Sequence, residues 1–186
     1  GAASLETHWL NGVTLSAIQN GEWDYVVLQE NALFGAQHIN GETCINSDAL
    51  FYVYARLFDQ AIKKAGAKTV FLLPWGPKNK NDQQEVLNKA HINIARELNA
   101  LVAPIGIVWQ KVKSILPEEQ DLYTDKYHGS QISRIVLASA LYAFFSTHDI
   151  APVDAIVKTK LINEIKNAPS INLSDEKISE ILNISY

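Results

Sequence analysis

Two side chains in this sequence are of a type and at a spacing that could move protons. They are Asp125 and His128, within Asp121-Leu122-Tyr123-Thr124-Asp125-Lys126-Tyr127-His128-Gly129-Ser130. In a helix or a tight turn, positions i and i+3 lie on one side, so a carboxylate and an imidazole can face the same cleft. Histidine titrates closest to neutrality and is the side chain best suited to general acid–base work. A neighbouring carboxylate fixes its tautomer and stabilises its protonated form, as in a hydrolase triad. The pair is read as the base end of such a triad, with His128 as base and Asp125 as orienting acid. The same spacing also occurs in solvated loops and helix caps. This one is set apart by its place, in a turn-rich loop just ahead of an apolar helix, and by its company.

Other chemistry-bearing residues are scattered. His8 lies beside Trp9 on the first helix, where it could pack or line the cleft. His38, His91 and His148 have no acid at metal-ligand spacing and read as surface residues, and no paired-His site is seen. The glycines form no phosphate-cradling G-x-G-x-x-G pattern. Trp75, Trp109 and Tyr127 could stack on a sugar or acyl group, or could be ordinary core and rim aromatics. Lys78 and Lys80 read as a solvated loop. The single cysteine, Cys44, excludes an intrachain disulfide and a cysteine-based zinc site. No metal or other cofactor is expected.

The elements that must position these residues follow from composition and periodicity. The chain has 186 residues, 47% apolar and 19% charged, which is ordinary for one globular domain with a proper core. A net charge of −4 and a pI near 5.7 argue against a nucleic-acid surface. No apolar run approaches the ~20 residues a membrane span needs. Compartment is left open by the cysteine count. The chain starts Gly-Ala-Ala and has no Met, which reads as a processed or truncated product or a tag remnant.

Residues 4–19 are predicted as one helix capped by Ser4 and weakened by Gly12. Trp23–Glu30 is a short β-branched run, read as a strand buried on both faces. Residues 31–47 read as a loop. A helix from about Asp48 to Ala65 carries an apolar stripe of Leu50, Val53, Tyr54, Leu57, Phe58, Ala61 and Ile62, closed by Gly66. Lys68–Leu73 is the second strand, stopped by Pro74. Then come a helix over 83–100, a third strand over Val102–Trp109, and a short helix over Gln110–Leu116. A helix with a small-residue face (Ile132, Ile135, Val136, Ser139, Ala140, Ala143) follows. Residues 152–186 read as two amphipathic helices broken at Ala168-Pro169, with Ser174 capping the last.

Strands and helices alternating at this spacing imply an α/β fold, a mostly parallel sheet between two helix layers. Such sheets hold their sites beyond the strands' carboxyl ends. That would bring Gln29–Asn31, Trp75–Gly76 and Asp125–His128 to one rim. The expected organisation is an α/β domain over 1–150 with a C-terminal helical extension, 151–186, packed on it.

Val26-Val27-Leu28-Gln29-Glu30-Asn31 resembles the third sequence block of the SGNH hydrolase (GDSL-type esterase) superfamily, where a strand ends in an amide-bearing tripeptide. Asp125-Lys126-Tyr127-His128 resembles its fifth block, D-x-x-H, followed by a helix. Trp23-Asp24-Tyr25-Val26-Val27 and Ala103-Pro104-Ile105-Gly106 are similar to a bacterial branch with a Gln-rich third block. The resemblance runs from residue 4 to about 146. It implies a flavodoxin-like three-layer α/β/α fold and hydrolysis of a small-molecule or carbohydrate ester by a Ser-His-Asp triad. His128 would be the base and Asp125 its acid. Asn31 or Gln29 would be a side-chain donor to the oxyanion, a role that requires a rigidly held N–H. A secreted or periplasmic bacterial setting is preferred.

The sequence departs from the family at two points. Gly129 stands where proline usually follows the histidine, which implies a looser loop. The family's nucleophile, in a G-D-S or G-N-S block, has no match. The first helix resembles the family's second, so the first strand, first helix and second strand would lie before Gly1, or come from a partner segment. Gly1 would then stand near the second-block glycine, the other oxyanion donor. Ser4 could be activated at a helix N-terminus, but a serine there reads first as a cap. This chain alone is expected to be inactive. The alternative is a non-catalytic module on the same fold, binding a glycan or a protein.

Overall fold

The computed structural model describes residues 3–32, 37–39, 42–44, 49–147, 174, 176–178 and 180. The chain forms two compact units, Gly1–Ala103 and Pro104–Tyr186. In chain order the first unit contains α1 (Leu5–Leu10), α2 (Val13–Asn20), β1 (Tyr25–Leu28), β2 (Gln37–Ile39), β3 (Glu42–Cys44), α3 (Leu50–Lys64), β4 (Lys68–Leu72), α4 (Asn81–Leu98) and β5 (Leu101–Ala103). β1, β4 and β5 form a parallel sheet in the order β1-β4-β5, with Val27 opposite Val70 and Phe71 opposite Val102. Parallel strands cannot be joined by a tight turn, so each crossover here carries a helix. The alternation of elements anticipates this α/β architecture.

β4 is buried on both faces, from Thr69 to Leu72, which is why its sequence is a continuous apolar run. β1 behaves differently. Leu28 is buried while Val27 is 43% exposed, so the expectation that this segment is covered on both faces is corrected. β1 lies at an edge of the described sheet, and its burial alternates with the pleat. The core of this unit joins Leu5, Ile18 and Leu28 to Phe51, Phe58 and Ile62 of α3, Phe71 of β4, and Ala90 and Ile94 of α4.

Several boundaries differ from the sequence reading. The first helix breaks in two at Gly12, whose φ of +73° suits a residue without a Cβ. Gly12 is the N-cap of the second piece, and Asn11 Oδ1 before it accepts from the Val13 N–H at 3.0 Å. The segment read as loop over 31–47 contains the antiparallel hairpin of β2 and β3, with His38 opposite Thr43. The buried face of α3 is Phe51, Tyr52, Ala55, Phe58, Asp59 and Ile62, whereas Leu50 and Val53 are exposed. The expected stripe is therefore rotated. A polar network sits on the buried face: Thr69 of β4 donates to Asp59 at 2.7 Å, and Lys63 pairs with the other Asp59 oxygen at 2.9 Å. Gly66 does end α3. Its N–H donates to Lys63 O and the Ala67 N–H to Ile62 O, the paired bonds of a Schellman motif.

The second unit contains α5 (Ile105–Ile115) and α6 (Gln131–Thr147). The third strand, expected over Val102–Trp109, stops at Ala103. Pro104 breaks the ladder, and its carbonyl accepts from Ile107 and Val108, which starts α5. Ile105, Val108, Trp109 and Val112 are all buried at helical spacing. Ser174 caps the described residues of the last helix, its Oγ accepting from the Lys177 N–H at 3.2 Å. The rest of the expected helical extension, with the break at Ala168-Pro169, and His148 lie outside the described residues.

Between α5 and α6 the loop 122–130 is closed by backbone bonds, Thr124 N to His128 O at 2.9 Å and Ser130 N to Leu122 O at 2.8 Å. Its base is anchored by buried Leu122 and by Tyr123, whose ring meets Trp109 edge-on at 5.0 Å. Gly129 is part of this packing. A Cβ there would stand 2.2 Å from Ser133 Oγ and 3.2 Å from Trp109. A side chain there would require the Ser133 hydroxyl to turn away and Trp109 to give slightly.

His91, read as a surface residue, is fully buried on α4, with its ring 4.8 Å from Phe51 and Nδ1 bonded to Leu87 O. Burial holds its pKa down to about 4. At His91 the unfolded chain takes up a proton near pH 6.5, before the folded one does, so this group's effect is to lower stability as pH drops from about 6.5 to 4, with no further change from it below. The expected loss is roughly 3 kcal/mol at the acid end. Urea unfolding at stepped pH measures it, and His91→Gln flattens that slope relative to the unsubstituted protein. Gly129→Ala is expected to destabilise the chain by about 1–3 kcal/mol through overpacking, read as a lowered thermal midpoint.

Candidate active site

Asp125 and His128 are brought together as their spacing implied. Asp125 Oδ1 accepts from the backbone N–H groups of Tyr127 at 2.7 Å and His128 at 2.8 Å, which wraps the turn around the carboxylate. Oδ2 is left for the ring, 2.7 Å from His128 Nδ1. An ionised carboxylate only accepts, so the ring carries its proton on Nδ1 and presents Nε2 as the base. The backbone bonds from His128 and Tyr127, followed by the imidazole, hold the Asp125 carboxyl down at about 2. It therefore stays ionised through the whole range in which histidine titrates.

The His128 side chain is 78% exposed, so the pair contributes little to stability. Its consequence is orientation: the imidazole is fixed in tautomer and direction while open to solvent. The neighbouring serines are turned inward. Ser133 Oγ donates to Ser130 O at 2.7 Å, and Ser130 Oγ is buried. Tyr127 is half exposed, with its N–H committed to Asp125.

In the first unit, Gln29 and Asn31 follow β1 at its carboxyl end. Gln29 is exposed and Asn31 half-buried. Between them Glu30 is 3% exposed. Its Oε1 accepts from the Asn31 N–H at 2.6 Å and its Oε2 from the Leu5 N–H at 3.2 Å. Desolvation raises its pKa above the ordinary carboxylate value, against those two bonds, and nearby Glu6 adds to the rise. Strand parity puts Leu28 and Glu30 on the inner face, and that is the only sequence signal for Glu30.

The loop after β4 leaves the sheet at the same end, because β1 and β4 run parallel. It carries half-buried Trp75 between Pro74 and Gly76. Buried Gln84 grips this turn from α4: Oε1 accepts from Gly76 N–H at 2.7 Å, and Nε2 donates to Pro74 O at 3.1 Å and to Asn88. Nothing in sequence spacing singles out Gln84, since its partners are backbone groups of another segment. His8 on α1 is half-buried, its Nδ1 3.4 Å from Thr14 Oγ1. Ser4 Oγ accepts from the Thr7 N–H at 3.2 Å, as a helix cap does. Gly1 lies outside the described residues.

Among the described residues no cluster of three or more His, Cys, Asp or Glu could hold a metal ion. No described helix is long and apolar enough to cross a membrane. The arrangement that can do chemistry is the carboxylate–imidazole pair, a proton acceptor of fixed orientation.

No protein-family model matches the sequence, and no curated protein matches it. Among solved structures the chain is similar to a protein from Slackia heliotrinireducens provisionally described as an SGNH hydrolase. The two share 25% sequence identity with a TM-score of 0.52, over 72% of this chain and 75% of that one. The likeness agrees with the resemblance carried by the third and fifth sequence blocks, and the chain has an α/β fold of the SGNH hydrolase kind.

Proposed function

We propose that the protein is an ester hydrolase of SGNH type, acting on a small-molecule or carbohydrate O-acyl ester. The observation that carries this reading is the 2.7 Å contact between Asp125 Oδ2 and His128 Nδ1, which leaves Nε2 as an exposed base. The likeness to a protein described as an SGNH hydrolase supports it. In this reading Nε2 removes the proton of a serine hydroxyl as its oxygen attacks the ester carbonyl carbon. The carbonyl π electrons move onto oxygen, and the anion so formed needs N–H donors, the role that the resemblance implies for Asn31 or Gln29. Collapse expels the alcohol, which takes the proton from Nε2. Water, deprotonated by the same nitrogen, attacks the acyl carbon, and the serine oxygen leaves with that proton as the acid is released. Asp125 remains ionised throughout and holds the imidazolium.

The sequence holds no G-D-S or G-N-S block, so this reading requires a serine that no such motif identifies. That same feature favours the second reading, a non-catalytic module that binds a glycan or protein through the loops after β1 and β4. Tyr127 in the first reading and Trp75 in the second offer an aromatic surface to a sugar or acyl group.

Turnover of p-nitrophenyl acetate by the full-length protein separates the two. His128→Ala is expected to abolish it to within background, and equal turnover by the two forms overturns the proposal. Asp125→Asn keeps an acceptor for the two backbone N–H groups but turns an NH₂ toward Nδ1, which selects the wrong tautomer. A fall in kcat of up to ~10⁴-fold is expected, with the thermal midpoint nearly unchanged. A fluorophosphonate probe is expected to label the full-length protein once, and residues 1–186 alone not at all.

A further inference from the structure

Asp125 fixes the imidazole of His128 relative to the loop that carries both, but bonds within a loop do not hold the loop to the molecule. Residues 124–128 are all exposed, whereas Leu122 and Tyr123 are buried. Where the imidazole stands is therefore set by packing at the base of the loop. That base is one antiparallel rung, Tyr123 opposite Gly129. The backbone bonds Thr124 N to His128 O and Ser130 N to Leu122 O flank it. A side chain from another element meets both sides of the rung. Trp109 of α5 is 1% exposed, and its ring stands edge-on to the Tyr123 ring, centroids 5.0 Å apart. The far edge of the indole, Cη2, lies 3.2 Å from where a Cβ would stand at Gly129. Glycine lets the backbone come down onto that edge, one peptide away from His128. All of these residues belong to the second unit.

We infer that Trp109 is a positioning residue for the base of ester hydrolysis, supporting the Tyr123–Gly129 rung on its indole and so setting where His128 stands. Asp125 fixes the tautomer, and Trp109 fixes the place. The two tasks are separable, because one is done within the loop and the other beneath it. A base displaced by about an ångström from the hydroxyl it must deprotonate can lose ~10²-fold in rate. A wide, rigid indole reaches from Tyr123 to Gly129, a span that a single six-membered ring does not cover. This inference rests on the esterase reading.

Trp109→Phe keeps an aromatic ring against Tyr123 and withdraws the edge beneath Gly129. In the full-length protein with p-nitrophenyl acetate, assayed well below the thermal midpoint, it is expected to lower kcat ~10–10²-fold with KM little changed. Unchanged kcat overturns the inference, because an indole that only fills the core lowers the thermal midpoint and leaves the turnover of folded molecules alone. Gly129→Ala presses on the same contact from the loop side, so the two substitutions form a double-mutant cycle. The shorter ring makes room for the methyl, and the kcat loss from Gly129→Ala is expected to shrink in the Trp109→Phe background. Losses that simply multiply overturn the inference. The hold is also read without turnover, from the ring signals of His128 in histidine-labelled protein, assigned by their absence in His128→Ala. In Trp109→Phe the ring is expected to gain fast motion, seen as a lower order parameter, while its nitrogens keep the pattern of a proton on Nδ1. An unchanged order parameter overturns the inference whatever the turnover. A lost Nδ1 pattern overturns it as well, because Trp109 would then act on the Asp125–His128 contact itself. If Trp109→Phe does not fold, Tyr123→Leu removes the other ring of the same contact, and the same kcat and ring signals decide. No turnover by the unsubstituted protein overturns the esterase reading, and the inference with it. Turnover that Trp109→Phe leaves intact overturns the inference alone.

Discussion

Two carboxylates of this protein bind backbone N–H groups beside its candidate site residues. Asp125 takes the N–H groups of Tyr127 and His128 on one oxygen and the imidazole on the other. Glu30 takes the N–H groups of Asn31 and Leu5, one on each oxygen. Bonds from a neutral N–H to an ionised acceptor are shorter and stronger than neutral pairs. They also act on the main chain, so they set the direction of every side chain the turn carries. A loop held only by side-chain packing would not orient an imidazole 78% open to solvent.

The two acids reach this role from opposite environments. Asp125 is exposed, and its bonds pull its carboxyl down to about 2. Glu30 is buried, and desolvation outweighs its bonds, so its carboxyl titrates above the ordinary value. The histidines show the same division. His91 is sealed in the core of the first unit, where loss of water holds it neutral down to about pH 4. His128 stands in the open beside a carboxylate. Residue type decides which protons a side chain can carry, and surroundings decide whether it is free to carry them.

Local signals held where each residue answered mainly to its neighbours. The D-x-x-H pair is such a case, since an i, i+3 turn makes the contact with no help from elsewhere. So are the strand at β4, marked by an apolar run before Pro74, and the end of α3 at Gly66. The misses fall where distant segments decide. α3 is apolar on more than one side, and packing against the rest of the unit, with the bond from Thr69 to Asp59 on the same face, turns one side inward. The run Ile105–Trp109 is equally strand-like and helical until Pro104 breaks the ladder and starts a helix. His91 shares the inner side of α4 with Leu87 and Ile94, so its burial was legible in the spacing.

What the sequence determined by itself was the α/β alternation, the parallel sheet it implies, and the acid–imidazole pair, because each depends on contacts a few residues apart or on periodicity. What the tertiary structure decided was the burial and bonding of Glu30, the grip of Gln84 on the Trp75 segment, and the close approach of Ser133 and Trp109 to Gly129. Each of these is a close approach between segments far apart in the chain. Its partner is a backbone N–H, a carbonyl or a methylene-sized gap that carries no mark in the sequence. Spacing encodes which residues can meet along one element, and only the folded chain says which backbone lies opposite.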